Sequence, residues 1–300
     1  MARLFHINVG DLIASATRRM QRARVYFGHG TDNARDEAVA LALHVMKIPH
    51  DAPVRVLTRR VGAAQRERFE ALLKRRIADR VPLPYLTNEA WFAGLPFYVD
   101  ERVLIPRSAI AELIERRFAP WIGAARVKNV LDMGTGSGCI ALACAKAFPR
   151  ARVDAVDVDA PALEVAAINR RRLRLTRRVA LIESDHFTAL SGRAYDIIVS
   201  NPPYVGEREM RGLPREYGHE PRRALESGRD GLDSVATILH QAHRFLRPQG
   251  LLVVEVGNTE RIMARAFPRL PFTWLDFERG GGGVFLLTRE QLEKAQSDVG

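Results

Sequence analysis

The sequence has little cysteine and no long apolar run. Its 300 residues contain two cysteines, Cys139 and Cys144, which stand five positions apart in one expected helix. This spacing is poor for a disulfide bond and provides no metal-ligand set, so we expect buried packing residues and no bound metal. No apolar stretch approaches the ~20 residues that span a bilayer, and the N-terminal stretch lacks a signal-peptide core. We therefore expect a globular cytoplasmic protein without a membrane partner.

Acidic residues are outnumbered, and lysine is scarce among the basic residues. Lysine and arginine total 46 against 35 acidic residues, which gives a net charge of +11 and a pI near 10.3. This excess predicts a polyanionic neighbour, such as nucleic acid or a ribonucleoprotein. Nearly all of the basic residues are arginine, however, and codon bias would give the same excess without a function. The densest cluster, residues 170–178, is typical of a solvated helix end as well as of a docking patch.

The first part of the chain, residues 1–84, is predicted to be a small helical unit. Hydrophobic periodicity predicts amphipathic helices over residues 12–24, 36–46 and 63–80. Residues 85–108 are predicted to form a linker with a β-hairpin, in which residues 85–92 and 95–99 flank a turn at Ala93 and Gly94. The helical unit lacks the chemical motifs found later in the chain, so we expect it to recognise the substrate.

Residues 109–300 alternate strand and helix patterns. Strands are predicted over residues 127–133, 152–158, 179–182, 197–200 and 251–256. Such alternation predicts an α/β fold with a doubly wound parallel sheet, and an apolar fraction of 47% is enough for a sizeable core. Residues 272–276 and 284–288 are joined by a short glycine turn over 280–283, which requires an antiparallel last strand.

A glycine-rich loop follows the first strand of this sheet directly and opens a helix. Glycines there let the backbone approach a ligand closely, while the helix N-terminus offers free N–H groups. The dinucleotide fingerprint would need glycine at position 139, which is Cys139. The acid that leads the loop could face an ammonium or sulfonium group, directly or through water. The candidate cofactor contacts are Asp132, Gly134, Thr135, Gly136 and Gly138.

Two further acids stand at the ends of the next strands. Asp157 ends the second strand, where a carboxylate accepts from both hydroxyls of a ribose. Asp159 is its competitor, but its position before a proline at the first helical turn suits an N-cap. Asp185 follows the third strand and is expected to accept from an adenine amino group, with the Phe187 ring against the adenine. The three strand-end acids predict one crevice for one ligand.

The fourth strand stops at Asn201-Pro202-Pro203-Tyr204, which continues neither a helix nor a sheet interior. The two prolines have no N–H, and Pro203 keeps Pro202 extended, so the turn offers acceptors without competing donors. The Asn201 side-chain oxygen and the Pro202 carbonyl could each take one hydrogen of a planar NH₂ group. The Tyr204 ring would cover its flat face. These four residues are the candidate catalytic residues, and Asn201 also borders the expected cofactor site.

This order of glycine loop, ribose acid, adenine acid and Asn-Pro-Pro-Tyr resembles the class I S-adenosylmethionine-dependent methyltransferases that modify planar nitrogens. Within that group the chain is similar to the glutamine side-chain N5-methyltransferases. The resemblance extends over nearly the whole chain and includes residues 26–33, 85–92, 97–108 and 255–258. It implies a helical N-terminal domain, a hairpin linker and a Rossmann-like catalytic domain that binds S-adenosylmethionine. One departure is His186, which stands where the family usually has an aliphatic residue.

Two segments, residues 26–33 and 85–92, are similar to the branch that methylates a glutamine of large-subunit ribosomal protein three. The resemblance thus implies methylation of a glutamine N5 nitrogen in a 50S ribosomal protein, with rRNA or an assembling ribosomal particle as a possible contact. Three alternatives stay open. The chain could act on peptide-chain release factors, methylate the N6 amine of adenine in nucleic acid, or bind rRNA as a non-catalytic assembly factor.

Overall fold

The structure is a computed structural model that describes residues 7–297, and it divides the chain into two compact units. The helical unit contains the chain up to Glu89 together with Pro214–His219. The sheet unit contains Ala90–Leu213 and the chain from Glu220 onward. The expected linker, residues 85–108, is therefore divided between the two units, and a short later segment joins the helical one. Across residues 7–297, no helix has both the length and the apolar character that crossing a membrane requires.

The helical unit contains four α-helices: α1 Val9–Arg22, α2 Ala34–Met46, α3 Ala63–Lys74 and α4 Leu83–Thr87. The first three confirm the helices expected from periodicity, although a single π-helical turn, Arg75–Asp79, replaces the end of the third. Asn8 and Asp11 form a reciprocal capping box that fixes the start of α1. Asn33 accepts from two backbone N–H groups at the start of α2. Side-chain caps thus set two of these helix starts.

A buried ion cluster lies at the centre of the helical unit. The Arg76 side chain is 1% exposed and pairs with Glu37 and Glu216, whose side chains are each 3% exposed. Its guanidinium also donates to the Tyr26 carbonyl at 2.6 Å, and Glu216 accepts from the Tyr26 N–H at 3.0 Å. Because Glu216 comes from the segment Pro214–His219, this cluster is what holds that segment in the helical unit.

The hairpin begins later than the sequence predicted. Residues 85–87 belong to α4, and the strands are β1 Ala90–Phe92 and β2 Leu95–Phe97. Two prolines, Pro82 and Pro84, stand at the start of α4, where they suit a first helical turn, and Asn88 ends it in the left-handed conformation. The turn at Ala93 and Gly94 has positive φ at both residues, as a two-residue hairpin requires.

Within residues 7–297, the large sheet of the second unit has seven strands: β3 Asn129–Met133, β4 Arg152–Asp157, β5 Val179–Glu183, β6 Tyr195–Ser200, β7 Leu246–Glu255, β8 Thr273–Leu275 and β9 Val284–Thr288. Their order across the sheet is β5-β4-β3-β6-β7-β9-β8. The first five of these positions are parallel, whereas β9 is antiparallel to both of its neighbours. This confirms the doubly wound sheet with an antiparallel last strand.

Helices cover both faces of this sheet. One face packs on a core that includes Val130, Ile197 and Val253, and the other on a core that includes Leu131, Ile198 and Leu252. Burial on both faces explains why these strands are apolar at consecutive positions. The helices are α5 Ile110–Glu115, α6 Cys139–Ala147, α7 Ala160–Arg172, α8 Glu207–Met210, α9 Asp233–Gln241, α10 Glu260–Ala266 and α11 Arg289–Ser297.

Both cysteines lie on α6 and are free and buried, as predicted. Burial raises the pKa of the Cys139 thiol to about 12 and that of Cys144 well above its usual value. At neutral pH both side chains are therefore neutral packing groups rather than nucleophiles.

Arg76→Ala is expected to destabilise the helical unit strongly. The substitution leaves Glu37 and Glu216 as buried carboxylates without their common cation, which typically lowers the free energy of unfolding by about 3–5 kcal/mol. Urea denaturation followed by circular dichroism measures the change. The matched control is Arg75→Ala, because Arg75 is the exposed neighbour and surface changes usually stay within about 0.5 kcal/mol. Equal stability of the two variants would contradict this account of the cluster.

Candidate active site

The carboxyl ends of β3, β4, β5 and β6 border one cavity in the sheet unit. Its volume is about 430 Å³, within the usual range for a small-molecule site. The register brings the strand ends level, since Met133 pairs with Val156 on one side and with Ser200 on the other. The predicted residues that line it are Gly134, Thr135, Gly136, Asp157, Asp185, Asn201, Pro202 and Pro203. A parallel sheet places its ligand at this edge.

The glycine loop joins β3 to α6 in a conformation that requires glycine. Gly134, Gly136 and Gly138 all have positive φ, which other residues rarely adopt. At Gly138 a Cβ would also lie 3.2 Å from the Ala166 Cβ, so glycine allows α6 and α7 to approach closely. The Thr135 N–H donates to the Val156 carbonyl at 2.8 Å. This bond holds the loop against the end of β4, beside the cavity.

Asp132 supports this loop from behind and does not line the cavity. Its side chain is fully buried, and Oδ2 accepts from the Thr135 hydroxyl at 2.6 Å and from the Ala141 N–H at 3.0 Å. Burial raises the pKa of Asp132 to about 7, because the charged form is poorly solvated. Direct contact with a ligand cation, as the sequence suggested, is therefore wrong for this side chain. Its other oxygen, Oδ1, has no hydrogen-bond partner within residues 7–297, and a contact through water stays a prediction.

Asp157 lies at the end of β4 and lines the cavity. Its Oδ2 accepts from the Gly136 N–H at 2.7 Å, and its Oδ1 accepts from the Asp159 N–H at 3.0 Å. Burial raises the pKa of Asp157 above its usual value, although these two bonds oppose the effect. The carboxylate is thus oriented by two backbone donors and keeps further acceptor positions. Its expected role with ribose hydroxyls stays a prediction.

Asp159 stands at the N-cap position of α7, as the sequence predicted. Its side chain makes no capping bond and instead pairs with Arg223 at 2.5 Å. Both residues line the cavity. Arg223 is 64 residues further along the chain, and nothing in the sequence indicated the pair.

After β5, one of the two predicted residues lines the cavity and the other does not. The Asp185 side chain is 73% exposed and lines the cavity. The Phe187 ring does not: it is buried in the core and stacks on Phe245, with ring centroids 4.6 Å apart. Its predicted position against an adenine ring is therefore wrong. His186 lines the cavity in its place, bonded to Asp185 at 2.7 Å and to Ser234 at 2.9 Å.

The tetrapeptide begins where β6 ends. The Ser200 hydroxyl donates to the Met133 carbonyl at 2.8 Å, which fixes the strand end against β3. The next residue, Asn201, lines the cavity, and its buried side-chain oxygen Oδ1 has no hydrogen-bond partner among the described residues. Pro202 and Pro203 also line the cavity and have no N–H to offer it. An unpaired acceptor beside two residues without donors is suited to bind an N–H group of a ligand.

Tyr204 is held by glycines rather than exposed in the cavity wall. A Cβ at Gly257 would lie 2.7 Å from the Tyr204 ring, and a Cβ at Gly231 would lie 2.3 Å from the Tyr204 carbonyl oxygen. Both distances are too short for any other residue. Gly257, which belongs to the segment 255–258, therefore leaves the space that the Tyr204 ring occupies. The expected cover of a ligand by the Tyr204 ring stays a prediction, since Tyr204 is not among the lining residues.

A second wall comes from residues before the sheet. Arg107 lines the cavity and donates to both oxygens of Glu220, at 2.6 and 2.8 Å, and Glu220 also accepts from the Ile105 N–H. The other lining arginines, Arg102 and Arg223, pair with carboxylates as well. All three lining arginines are thus neutralised, whereas Asp157 has no cation partner among the described ion pairs.

The residues present fit S-adenosylmethionine. Acceptors at Asp157, Asp185 and Asn201 suit a ligand with hydroxyl and amino donors, and carboxylates without a cation suit a sulfonium and an ammonium. The glycine loop leaves room for the ligand because no Cβ stands there. The site is thus that of a methyltransferase with this cofactor, in a Rossmann-like fold.

Comparison with known proteins agrees with this class. Residues 116–228 match the family described as the methyltransferase small domain, and residues 11–87 match the PrmC N-terminal domain. Two similar relatives are both named ribosomal protein uL3 glutamine methyltransferase. The one from Neisseria gonorrhoeae is 48% identical over 95% of this chain and 95% of its own, and the one from Xanthomonas campestris is 47% identical over 94% and 91%. The chain belongs to the ribosomal protein uL3 glutamine methyltransferase family.

Among solved structures, the chain resembles the hMettl16 catalytic domain in complex with the MAT2A 3′UTR hairpin 6. The TM-score is 0.53 and the identity 16%, with 83% of this chain and 92% of the other covered. At this identity the likeness supports the fold alone.

Asp157→Ala is expected to abolish cofactor binding. S-adenosylmethionine at 100 times its Kd should stabilise the wild-type protein by about 2.7 kcal/mol, since a ligand of the native state shifts unfolding by mass action. Thermal denaturation with and without the cofactor measures this shift. The matched control is Asp154→Ala, on the same strand, because Asp154 pairs with Arg193 and Tyr195 away from the cavity. A full shift in Asp157→Ala would remove Asp157 from the cofactor site.

Proposed function

We propose that this protein transfers the methyl group of S-adenosylmethionine to the side-chain amide nitrogen of a glutamine in ribosomal protein uL3, in the cytoplasm. The observation that carries the chemistry is the buried, unpaired Asn201 Oδ1 beside two prolines in the cavity wall. The names of the relatives support uL3 as the substrate.

A glutamine amide nitrogen is a poor nucleophile, because its lone pair is delocalised into the carbonyl group. The protein must therefore orient the amide rather than simply deprotonate it. In our proposal the Asn201 oxygen accepts one amide hydrogen and the Pro202 carbonyl accepts the other. These two bonds fix the NH₂ plane and aim the nitrogen lone pair at the electrophile. Orientation and preorganised electrostatics then provide most of the barrier reduction.

When bound, S-adenosylmethionine supplies an electrophilic methyl group on a sulfonium sulfur. Asn201 and Pro202 would hold the amide while this methyl group passes to its nitrogen, and the sulfur would keep the electron pair of the broken S–C bond. The nitrogen becomes cationic and strongly acidic, and it releases one of its two hydrogens as a proton to solvent. Asn201 and Pro202 stabilise the developing charge, because their oxygens accept from the polarised N–H bonds. No dedicated general base is needed.

The helical unit is proposed to select the protein substrate. It contains residues 26–33, which resemble the ribosomal-protein branch, and these lie against Pro214–His219: the His29 and Tyr217 rings are 4.7 Å apart. Residues 214–219 begin ten positions after the tetrapeptide. The helical unit therefore contains both the segment proposed for recognition and a segment that follows the candidate catalytic residues closely in sequence.

Exchange of residues 1–89 with those of a release-factor enzyme should redirect methylation. An exchanged enzyme that still modified only uL3 would move recognition into the sheet unit.

The function is tested by methyl transfer from radiolabelled S-adenosylmethionine to three acceptors: uL3, a peptide-chain release factor and rRNA. We expect label in uL3 alone, and fragmentation by mass spectrometry should place the added 14 Da on one glutamine side chain. Label in rRNA would identify an adenine-directed enzyme, which uses the same acceptors on an exocyclic amine. Absence of label in all three would support a non-catalytic factor.

Asn201→Ala is expected to be nearly inactive while it remains folded and binds the cofactor. Loss of one positioned hydrogen bond in a transition state typically reduces the rate by ~10²–10³. Asn201→Asp keeps an acceptor but adds a charge beside the sulfonium, so it should also be slow. Single-turnover methylation gives the rate, and calorimetry gives cofactor affinity. The matched control is Asn129→Ala, because Asn129 begins β3 at the end of the strand that lies away from the cavity. A folded Asn201→Ala enzyme with near-normal turnover would overturn the assignment.

A further inference from the structure

The amino ends of three neighbouring strands form a continuous surface opposite the cavity. The loops before β3, β4 and β5 are joined there by backbone hydrogen bonds. Arg152 N–H donates to the Lys128 carbonyl at 2.8 Å, and Val153 N–H donates to the Arg178 carbonyl at 2.9 Å. Arg178 further binds the Ala145 carbonyl through its side chain at 2.5 Å. These bonds make the three loops one fixed edge of the sheet.

A groove with only positive charge lies in this edge. Its volume is about 540 Å³. Four cations line it, Arg117, Lys128, Arg150 and Arg152, and all four are exposed. No aspartate or glutamate is among its lining residues. The remaining walls are apolar or uncharged and include Phe148. Such a groove attracts anions, since nothing inside it neutralises the cations.

The positive charge continues from the last turn of α7 into the loop before β5. Arg171, Arg174 and Arg177 are exposed there. Within residues 7–297, neither these three nor the groove cations form an ion pair with a carboxylate. Other arginines at the amino ends differ, because Arg193 pairs with Asp154 and Arg247 with Asp196. Seven cations without a carboxylate partner among the described residues thus lie along these loops.

We propose that this basic edge, the four groove cations with the three arginines before β5, binds the phosphate backbone of RNA. The identity of the polyanion rests on the proposed function, since a ribosomal protein is assembled among RNA. Several separated cations on a rigid surface can each contact one of the successive phosphates of an RNA strand. Such contacts provide affinity without selecting a nucleotide sequence. Strand β4 has six residues, so the edge lies about 20 Å from the cavity at 3.3 Å per residue. RNA bound there leaves the cavity open to the substrate glutamine.

Fluorescence anisotropy with a labelled, unstructured RNA oligonucleotide at several salt concentrations tests the proposal. Arg150→Glu/Arg152→Glu should bind at least tenfold more weakly than the wild-type protein. The slope of log Kobs against log salt should fall by about 0.7 for each lost phosphate contact. Arg150→Lys/Arg152→Lys should keep the slope, because it keeps the charges. The matched control is Arg261→Glu/Arg265→Glu, two exposed arginines of α10 with the same charge change.

Equal weakening in the α10 control, or a wild-type slope near zero, would overturn the basic edge as an RNA site. Stronger binding to vesicles that contain phosphatidylserine than to RNA at the same salt would assign the edge to a membrane surface instead. Methylation of free uL3 by the edge variant is measured in parallel and should be unchanged. Because RNA binding is read without methyl transfer, failure of RNA binding alone rejects this inference, and failure of methylation alone rejects the proposed function.

Discussion

The side-chain oxygen of Asn201 is a buried acceptor without a donor among the described residues, and the rest of the sheet unit must hold it in that state. Leaving such an oxygen unpaired typically costs about 1–3 kcal/mol, so the surrounding structure must hold Asn201 in place. The Ser200 bond to β3 fixes the residue before it, and the glycines at 231 and 257 fit closely around Tyr204 after it. Pairing that oxygen inside the protein would remove this cost and, with it, the free acceptor. The sheet therefore supplies rigidity where the chemistry needs an unsatisfied group.

One short segment of the chain belongs to the helical unit although it is far from the rest of that unit in sequence. Residues 214–219 lie between parts of the sheet unit in sequence, yet Glu216 belongs to the buried cluster of the helical unit with Arg76 and Glu37. The loop that follows the tetrapeptide is therefore tethered at Glu216 and again at Glu220, where it binds Arg107. Carboxylate–arginine bonds serve as the anchors at both points. Such charge-assisted bonds are stronger and more directional than neutral ones.

The sequence predicted well what depends on periodicity and strand ends. The seven-stranded sheet and the glycine loop follow from patterns confined to a few neighbouring residues, and so does the position of Asp157 and Asn201 beside the cavity. The predictions were wrong where a side chain can point either toward the cavity or away from it. The Phe187 ring lies in the core, and the Asp132 carboxylate binds the glycine loop without lining the cavity. Long-range pairs such as Asp159 with Arg223 leave no local pattern, so no periodicity indicates them. The same holds for Glu216, whose partners precede it by more than a hundred residues.

In the proposed mechanism, the Asn201 oxygen and the Pro202 carbonyl hold the two hydrogens of the substrate amide. The most direct measurement is a crystal structure of the protein with S-adenosylhomocysteine and a glutamine-containing peptide of uL3. We predict that the glutamine nitrogen lies within about 2.7–3.2 Å of both oxygens, with its free face toward the cofactor sulfur. A glutamine nitrogen bound away from the tetrapeptide, with Asn201 Oδ1 paired inside the protein, would contradict the account.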